Sequence, residues 1–164
     1  MRVLATTLIL TAMATGVALA APVSEINVTI GPELAQKAPE LGARELDDLR
    51  GDLKRTVERE LERAGQLTPQ GGRLDLVITD ARPNRPTMQQ MSRKPGLSYQ
   101  SFSIGGAAVT GAYAAPGGAT TPVAYSWFET DIREAWWRGT WGDANRAFDR
   151  FATKFAKGEA LAAK

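Results

Sequence analysis

Apolar and polar residues alternate over residues 25 to 30, with Ile26, Val28 and Ile30 on one side and Asn27 and Thr29 on the other, and the pattern stops at Gly31-Pro32. A period of two predicts a strand with one buried face. The period then changes. From Arg44 onward Leu46, Leu49, Leu53, Val57, Leu61 and Ala64 recur at spacings of three and four, which places them on one stripe of a helix. Gly65 follows as its C-terminal cap. The opposite face carries Lys54 with Glu58, Asp52 with Arg55 and Arg59 with Glu62. Such pairs contribute only ~0.2–0.5 kcal/mol each, so this face reads as solvated surface. With fewer than three heptads, it is short for a coiled coil.

Pro69, Gly71 and Gly72 mark a turn, and residues 73 to 80 then alternate again, with Leu74, Leu76 and Ile78 on one face and Asp80 at the end. Residues 81 to 97 lack a period. Arg82-Pro83-Asn84-Arg85-Pro86 stiffens the start of this loop and Lys94-Pro95-Gly96 ends it. A link of that length inside a compact domain is usually functional or disordered. Extended structure resumes over residues 99 to 109, with Phe102, Ile104, Gly106 and Ala108 on one face and small residues opposite, a composition that lets another backbone approach closely. Pro116, Gly117, Gly118 and Pro122 predict a hairpin loop over residues 114 to 122, returning as a strand over 123 to 129. A further short strand is expected over residues 132 to 137. Thr140-Trp141-Gly142-Asp143 has the spacing of a capping box. Beyond it Ala144, Phe148, Phe151 and Phe155 repeat at helical spacing, and Gly158 closes the helix after Lys157.

Two helices with one apolar stripe each can both be satisfied on one face of a sheet. The expected fold is therefore α+β: a two-layer sandwich with a mixed four- or five-stranded sheet and two helices on one face. The first strand, helix and second strand form a parallel unit, and the later hairpin completes the sheet.

The amino-terminal pattern is of a different kind. Met1-Arg2 precedes an apolar stretch from Val3 to Ala20, and Ala18-Leu19-Ala20 places small residues where a signal peptidase reads them. Residues 1 to 21 are expected to be a cleaved signal peptide and residues 22 to 164 a single α+β domain, periplasmic or secreted, with no transmembrane span after cleavage. A retained membrane anchor is the competing reading, diluted by Thr6, Thr7, Thr11, Thr15 and Gly16. No Cys is present to accept a lipid.

Composition narrows the chemistry. The chain has no Cys and no His, which removes disulfides, thiolate catalysis, the commonest zinc ligands and the usual general base near neutral pH. Neither a cofactor nor a metal is expected. Losing Arg2 with the leader leaves 19 basic against 18 acidic residues, so net charge points to no polyanionic partner. One stretch is distinctive: residues 81 to 97 carry Arg82, Arg85, Arg93 and Lys94 and no acid.

At Trp137-Arg138-Gly139, before a helix ending in Phe151-Ala152-Thr153-Lys154-Phe155, the chain resembles a group of small bacterial envelope proteins. They have an export signal, an α+β domain with an early helix before a strand, a late strand ending in Trp-x-Gly and a C-terminal helix. Auxiliary lipoproteins of envelope transport systems share that outline. The resemblance implies an accessory role at the envelope and brings no catalytic residues; without the lipid-accepting Cys it does not imply a tether.

The weak catalytic candidates are Asp80, at a strand end beside the long loop, and Glu129, Asp131 and Glu134 around the late turn. A carboxylate pair can hydrolyse glycans when one member is protonated and the other ionised. Their ordinary reading is as turn and surface residues. Ser92 with Lys94 is an open Ser-Lys pairing whose ordinary reading is a solvated loop; no Gly-x-Ser-x-Gly elbow is present, and Gly105-Gly106 lacks the surroundings of a phosphate-binding loop. Trp127, Trp136, Trp137 and Trp141 fall within fifteen residues; alternation would send one of Trp136 and Trp137 into the core and leave the other as a recognition platform. The expected binding residues are thus Arg82, Arg85, Arg93, Lys94, Trp136 and Trp137. The expected function is a non-enzymatic periplasmic or secreted accessory protein engaging a protein partner, a glycan or an anionic surface of the envelope. Nucleic acid is disfavoured by export and by the near-neutral charge. A glycan hydrolase and a structural protein without a small-molecule site are the alternatives.

Overall fold

The computed structural model describes residues 21 to 159 and Leu161; the predicted leader lies outside them except for Ala21. The first strand, β1 (Val23–Ile30), runs into two single-turn helices, α1 (Pro32–Ala35) and α2 (Ala38–Leu41), and then the long helix α3 (Ala43–Arg63). Strand β2 (Gly72–Arg82) is followed by a short helix α4 (Met88–Arg93), the hairpin β3 (Gly106–Ala114) and β4 (Thr120–Phe128), and the last helix α5 (Gly142–Ala156). The sheet order is β1-β2-β3-β4. β1 and β2 are parallel, and the other two pairs are antiparallel. The mixed four-stranded sheet with α3 and α5 packed against it is the expected α+β two-layer arrangement.

The apolar stripes close against one another. Leu49, Leu53, Val57 and Leu61 of α3 and Phe148 and Phe151 of α5 are fully buried, over Leu74, Leu76 and Ile78 of β2 and Val109 of β3. Both helices end as their glycines predict. Gly65 has φ +67°, with Gln66 N–H bonded to Leu61 C=O and Gly65 N–H to Glu62 C=O; Gly158 has φ +66°, with Glu159 N–H on Lys154 C=O. Both arrangements satisfy carbonyls that the helix end leaves open. β4 is an edge strand, which is why Pro122 is tolerated inside it, and the Ala124 N–H of that edge donates to Leu161 C=O at 2.9 Å.

Four local expectations are corrected. Residues 81 to 97 are not without structure, because Thr87 caps α4 through a reciprocal bond pair with Gln90, the Thr-x-x-Gln form of a capping box. The third strand begins only at Gly106, and its core side is Ala107, Val109 and Tyr113 rather than the set containing Phe102 and Ala108. Gly106 sets that start: at φ +151° a Cβ would meet Trp127 C=O at 2.4 Å. Residues 132 to 137 form no strand but a 3-10 turn, Ile132–Glu134, opened by Asp131. Finally, Thr140 and Asp143 make no capping box: α5 begins after Trp141 without a side-chain cap, because the Asp143 carboxylate is engaged elsewhere.

Candidate functional site

β2 ends, β3 begins and β4 ends at the same end of the sheet, since Arg82 pairs with Gly106 and Gly106 with Phe128. Residues 83 to 105 and 129 to 141 are therefore neighbours, and two buried polar arrangements join them. In the first, the Asp143 carboxylate, fully buried, accepts from Asn84 Nδ2 at 2.6 Å and from Gly105 N–H at 3.1 Å. Asn84, equally buried, accepts the Asp143 N–H on Oδ1 at 2.8 Å and donates to Ser103 C=O. Arg138 Nε lies 3.2 Å from Asp143 Oδ1, close enough for an ion pair but without hydrogen-bond alignment. A carboxylate in the first turn of α5 also faces the positive end of the helix dipole.

Arg85 makes the second arrangement. Its guanidinium donates to the backbone carbonyls of Arg138 and Tyr99, each at 2.7 Å, and to that of Trp136. One planar fork thus fixes three backbone points on two loops. An arginine expected to meet a partner thus has three of its five N–H donors occupied inside the protein.

What the two loops display is apolar. Met88, Tyr99, Phe102, Ile132, Trp136 and Trp137 are the exposed large hydrophobic residues among those described, and all lie on segments at this end. Trp136 and Trp137 are 63% and 54% exposed, so neither enters the core; the expected alternation fails because the segment is not a strand. Trp141 is buried and donates its Nε1–H to Glu45 at 2.7 Å, and Trp127 is half-buried under Arg146 and Arg150. Arginines also lie over the aromatic rings at this end, Arg138 at 3.8 Å from Trp137 and Arg85 at 5.1 Å from Tyr99.

Two of the four cations of the positive stretch, Arg82 and Lys94, meet acids, one from the residue just before the stretch and one brought by the fold from α2. Asp80 is 2.9 Å from Lys37 and 3.4 Å from Arg82, and Arg82 also lies over Phe128. Lys94 is 3.4 Å from Glu40, whose carboxyl is held below the usual range by the Gln90 amide first and by Lys94 next. Arg93 is exposed, in the last turn of α4.

The carboxylates of the late turn are tied to it. Glu129 accepts the N–H groups of Thr130 and Asp131 at 2.9 and 3.2 Å, which lower its pKa, helped by Arg146. Asp131 is pulled down to about 2, chiefly by the Arg133 side chain and then by the Arg133 N–H. Glu134 sits in the 3-10 turn. A folded-state pKa below the ordinary 3.8 means that this contact stabilises the fold above about pH 4 and is lost as pH falls through about 2. Carbon-detected titration should give a midpoint near 2 for Asp131, and Arg133→Ala should return it toward 3.8; an unchanged midpoint would remove Arg133 as the cause.

A cleft of about 250 Å³ opens beside the loops, with Pro86, Gln90, Lys94, Leu97, Phe102 and Ser103 among its walls. A second, of about 440 Å³, lies along α5 and β4 between Tyr125, Arg150, Lys154 and Lys157. Asp80, Glu129, Asp131 and Glu134 line neither. Among the described residues no group of three or more His, Cys, Asp or Glu is placed to hold a metal ion, and no helix is long and apolar enough to cross a membrane.

Sequence reading missed Asn84 and Asp143 as the junction of the loops. Thr87-x-x-Gln90 was the available signal for α4; a buried Asn–Asp contact across 59 residues leaves no local signal. No family model, curated protein or solved structure matches this chain.

Proposed function

We propose that this is a non-enzymatic accessory protein of the bacterial envelope, exported by its leader to the periplasm or beyond, which engages its partner through the aromatic end of the sheet. The observation that carries the reading is the confinement, among the described residues, of the large exposed apolar side chains to two loops held together by Arg85 and by the Asn84–Asp143 contact. Apolar surface concentrated in this way marks interaction sites, and Trp, Tyr and Arg are the residues that dominate binding energy at such sites. Arg93 and Lys94 add cationic contacts at the margin. The resemblance to small envelope proteins points the same way.

Carboxylate-based glycan hydrolysis has less support. It needs one carboxyl kept protonated near neutral pH, whereas the Glu129 and Asp131 carboxyls are pulled the other way and the cleft beside the loops has no carboxylate in its walls.

The test compares immobilised wild-type chain with the Trp136→Ala/Trp137→Ala variant in capture from an envelope extract. The expected result is a component retained by the wild type and reduced at least about tenfold in the variant, with an unchanged unfolding midpoint because both indoles are exposed. Undiminished retention by the double variant would overturn the assignment of the site. Arg93→Glu is the suitable charge reversal, since reversing Arg85 would free three backbone carbonyls and disturb the loops themselves.

A further inference from the structure

Resting on that reading of the aromatic end as a recognition surface, we infer that its occupant is the interfacial zone of a lipid bilayer, entered by Trp136, Trp137, Ile132, Phe102 and Met88. Shape is the first argument. Of these five only Phe102 lines a cleft described above; Met88 projects from α4 at 74% exposure and Ile132 from the 3-10 turn at 49%. Side chains that stand out from several turns need a matching set of pockets on a protein partner, whereas the headgroup region of a bilayer conforms to them.

The chemistry of the projecting groups agrees. An indole has an apolar body and one N–H donor, which suits it to the boundary between acyl chains and headgroups. Among the described residues the Nε1–H groups of Trp136 and Trp137 meet no protein acceptor, whereas that of Trp141 is satisfied by Glu45. The loops are also held in place before contact, by Arg85 and by the Asn84–Asp143 contact, so little conformational freedom is lost on insertion.

Charge sets the kind of surface. Arg133 is paired with Asp131, Lys94 with Glu40 and Arg138 with Asp143. Among the described residues Arg85, which meets only backbone carbonyls, and the exposed Arg93 have no acid partner, against one unpaired carboxylate, Glu134, so the end keeps only a small positive excess. Apolar insertion, rather than attraction to anionic lipid, is the driving term. Binding should therefore differ little between phosphatidylcholine vesicles and vesicles containing phosphatidylglycerol, and should survive an increase in salt from about 0.05 to about 0.5 M.

The experiment uses the full chain with phosphatidylcholine vesicles and reads tryptophan emission. Residues 1 to 20 contain no tryptophan, so the signal reports the surroundings of the later indoles, and comparison with a variant carrying the same leader separates insertion by this end from attachment by the apolar leader. Expected are a blue shift and quenching by acyl-chain-brominated lipid. Phe102→Ser/Ile132→Ser retains both exposed indoles as reporters, and its apparent partitioning, read from the same shift, should fall about tenfold or more. Both replaced side chains are about half exposed, so the unfolding midpoint should not move. No blue shift, no quenching, equal partitioning of the variant, or binding confined to phosphatidylglycerol and abolished by salt would each overturn the inference. Absent quenching combined with tryptophan-dependent capture of an envelope protein would reject the lipid occupant and leave the recognition surface standing. Failure of both measurements would remove the surface as well.

Discussion

Replacement of Asp143 by alanine is expected to lower the unfolding free energy by about 3–5 kcal/mol, the usual cost of removing one partner from a buried ion pair. The carboxylate is fully buried, and its loss strands the Asn84 amide, the Gly105 N–H and the Arg138 guanidinium together. Arg138 has only 14% of its side chain exposed, so water cannot readily replace the lost partner. Urea unfolding followed by far-ultraviolet dichroism measures the change. Asp143→Asn preserves the volume but not the charge and should fall between the wild type and alanine. Asn84→Ala combined with Asp143→Ala should cost less than the sum of the single changes, because each removes the other's partner. A loss below about 1 kcal/mol for Asp143→Ala would mean that the junction contributes little net stability. Beyond stability, the same change should loosen the loops that display Trp136 and Trp137, so partner binding should weaken even where the chain remains folded.

Phe151→Ala should be comparably severe, about 3–5 kcal/mol, for a different reason. Its ring is fully buried, stacks on Phe155 with centroids 6.2 Å apart and lies 6.4 Å from the Tyr125 ring. It therefore joins α5 to the β4 side of the sheet, and truncation leaves a cavity that rigid neighbours on a helix and a strand fill poorly. The contrast is with Trp136→Ala, which removes a larger ring but one already in solvent and should change stability by less than about 0.5 kcal/mol. A Phe151→Ala loss of similarly small size would show that α5 repacks freely on the sheet.

The parts of the fold that could be read from the sequence are those whose determinants are local. Leu46 through Leu61 repeat at helical spacing and end at Gly65; Ile26 and Val28, and Leu74 to Ile78, alternate; Pro116 to Gly118 turn the hairpin. In each case period and punctuation act within a few residues. The site was only partly legible because its determinants are distant. Trp136 and Trp137 were recognisable as a dense aromatic cluster, but their shared exposure depends on Asp131 opening a 3-10 turn where alternation predicted a strand. Arg85 was legible as a cation and not as a bracket, since its acceptors lie 14 to 53 residues away. The basic loop looked uncompensated because Asp80, which meets Arg82, falls just before the stretch, and because Glu40, which meets Lys94, lies 54 residues away and reaches it only through the fold. Asp143 shows most directly how a local pattern can be overridden. Its spacing from Thr140 suits a cap, yet burial gives its carboxylate to Asn84 and Gly105, because an unpaired buried anion would cost more than an open helix end near solvent.

The parallel pairing of Val23 with Gly72 sets both strand starts at the end of the sheet remote from Trp136. At about 3.3 Å per residue, the length of β2 separates the two ends by roughly 30 Å. The molecule therefore has a handle and a head. A linker, affinity tag or surface attachment joined ahead of Val23 leaves the indoles pointing outward and unobstructed, whereas a bulky fusion inserted in the 94–97 segment would crowd them.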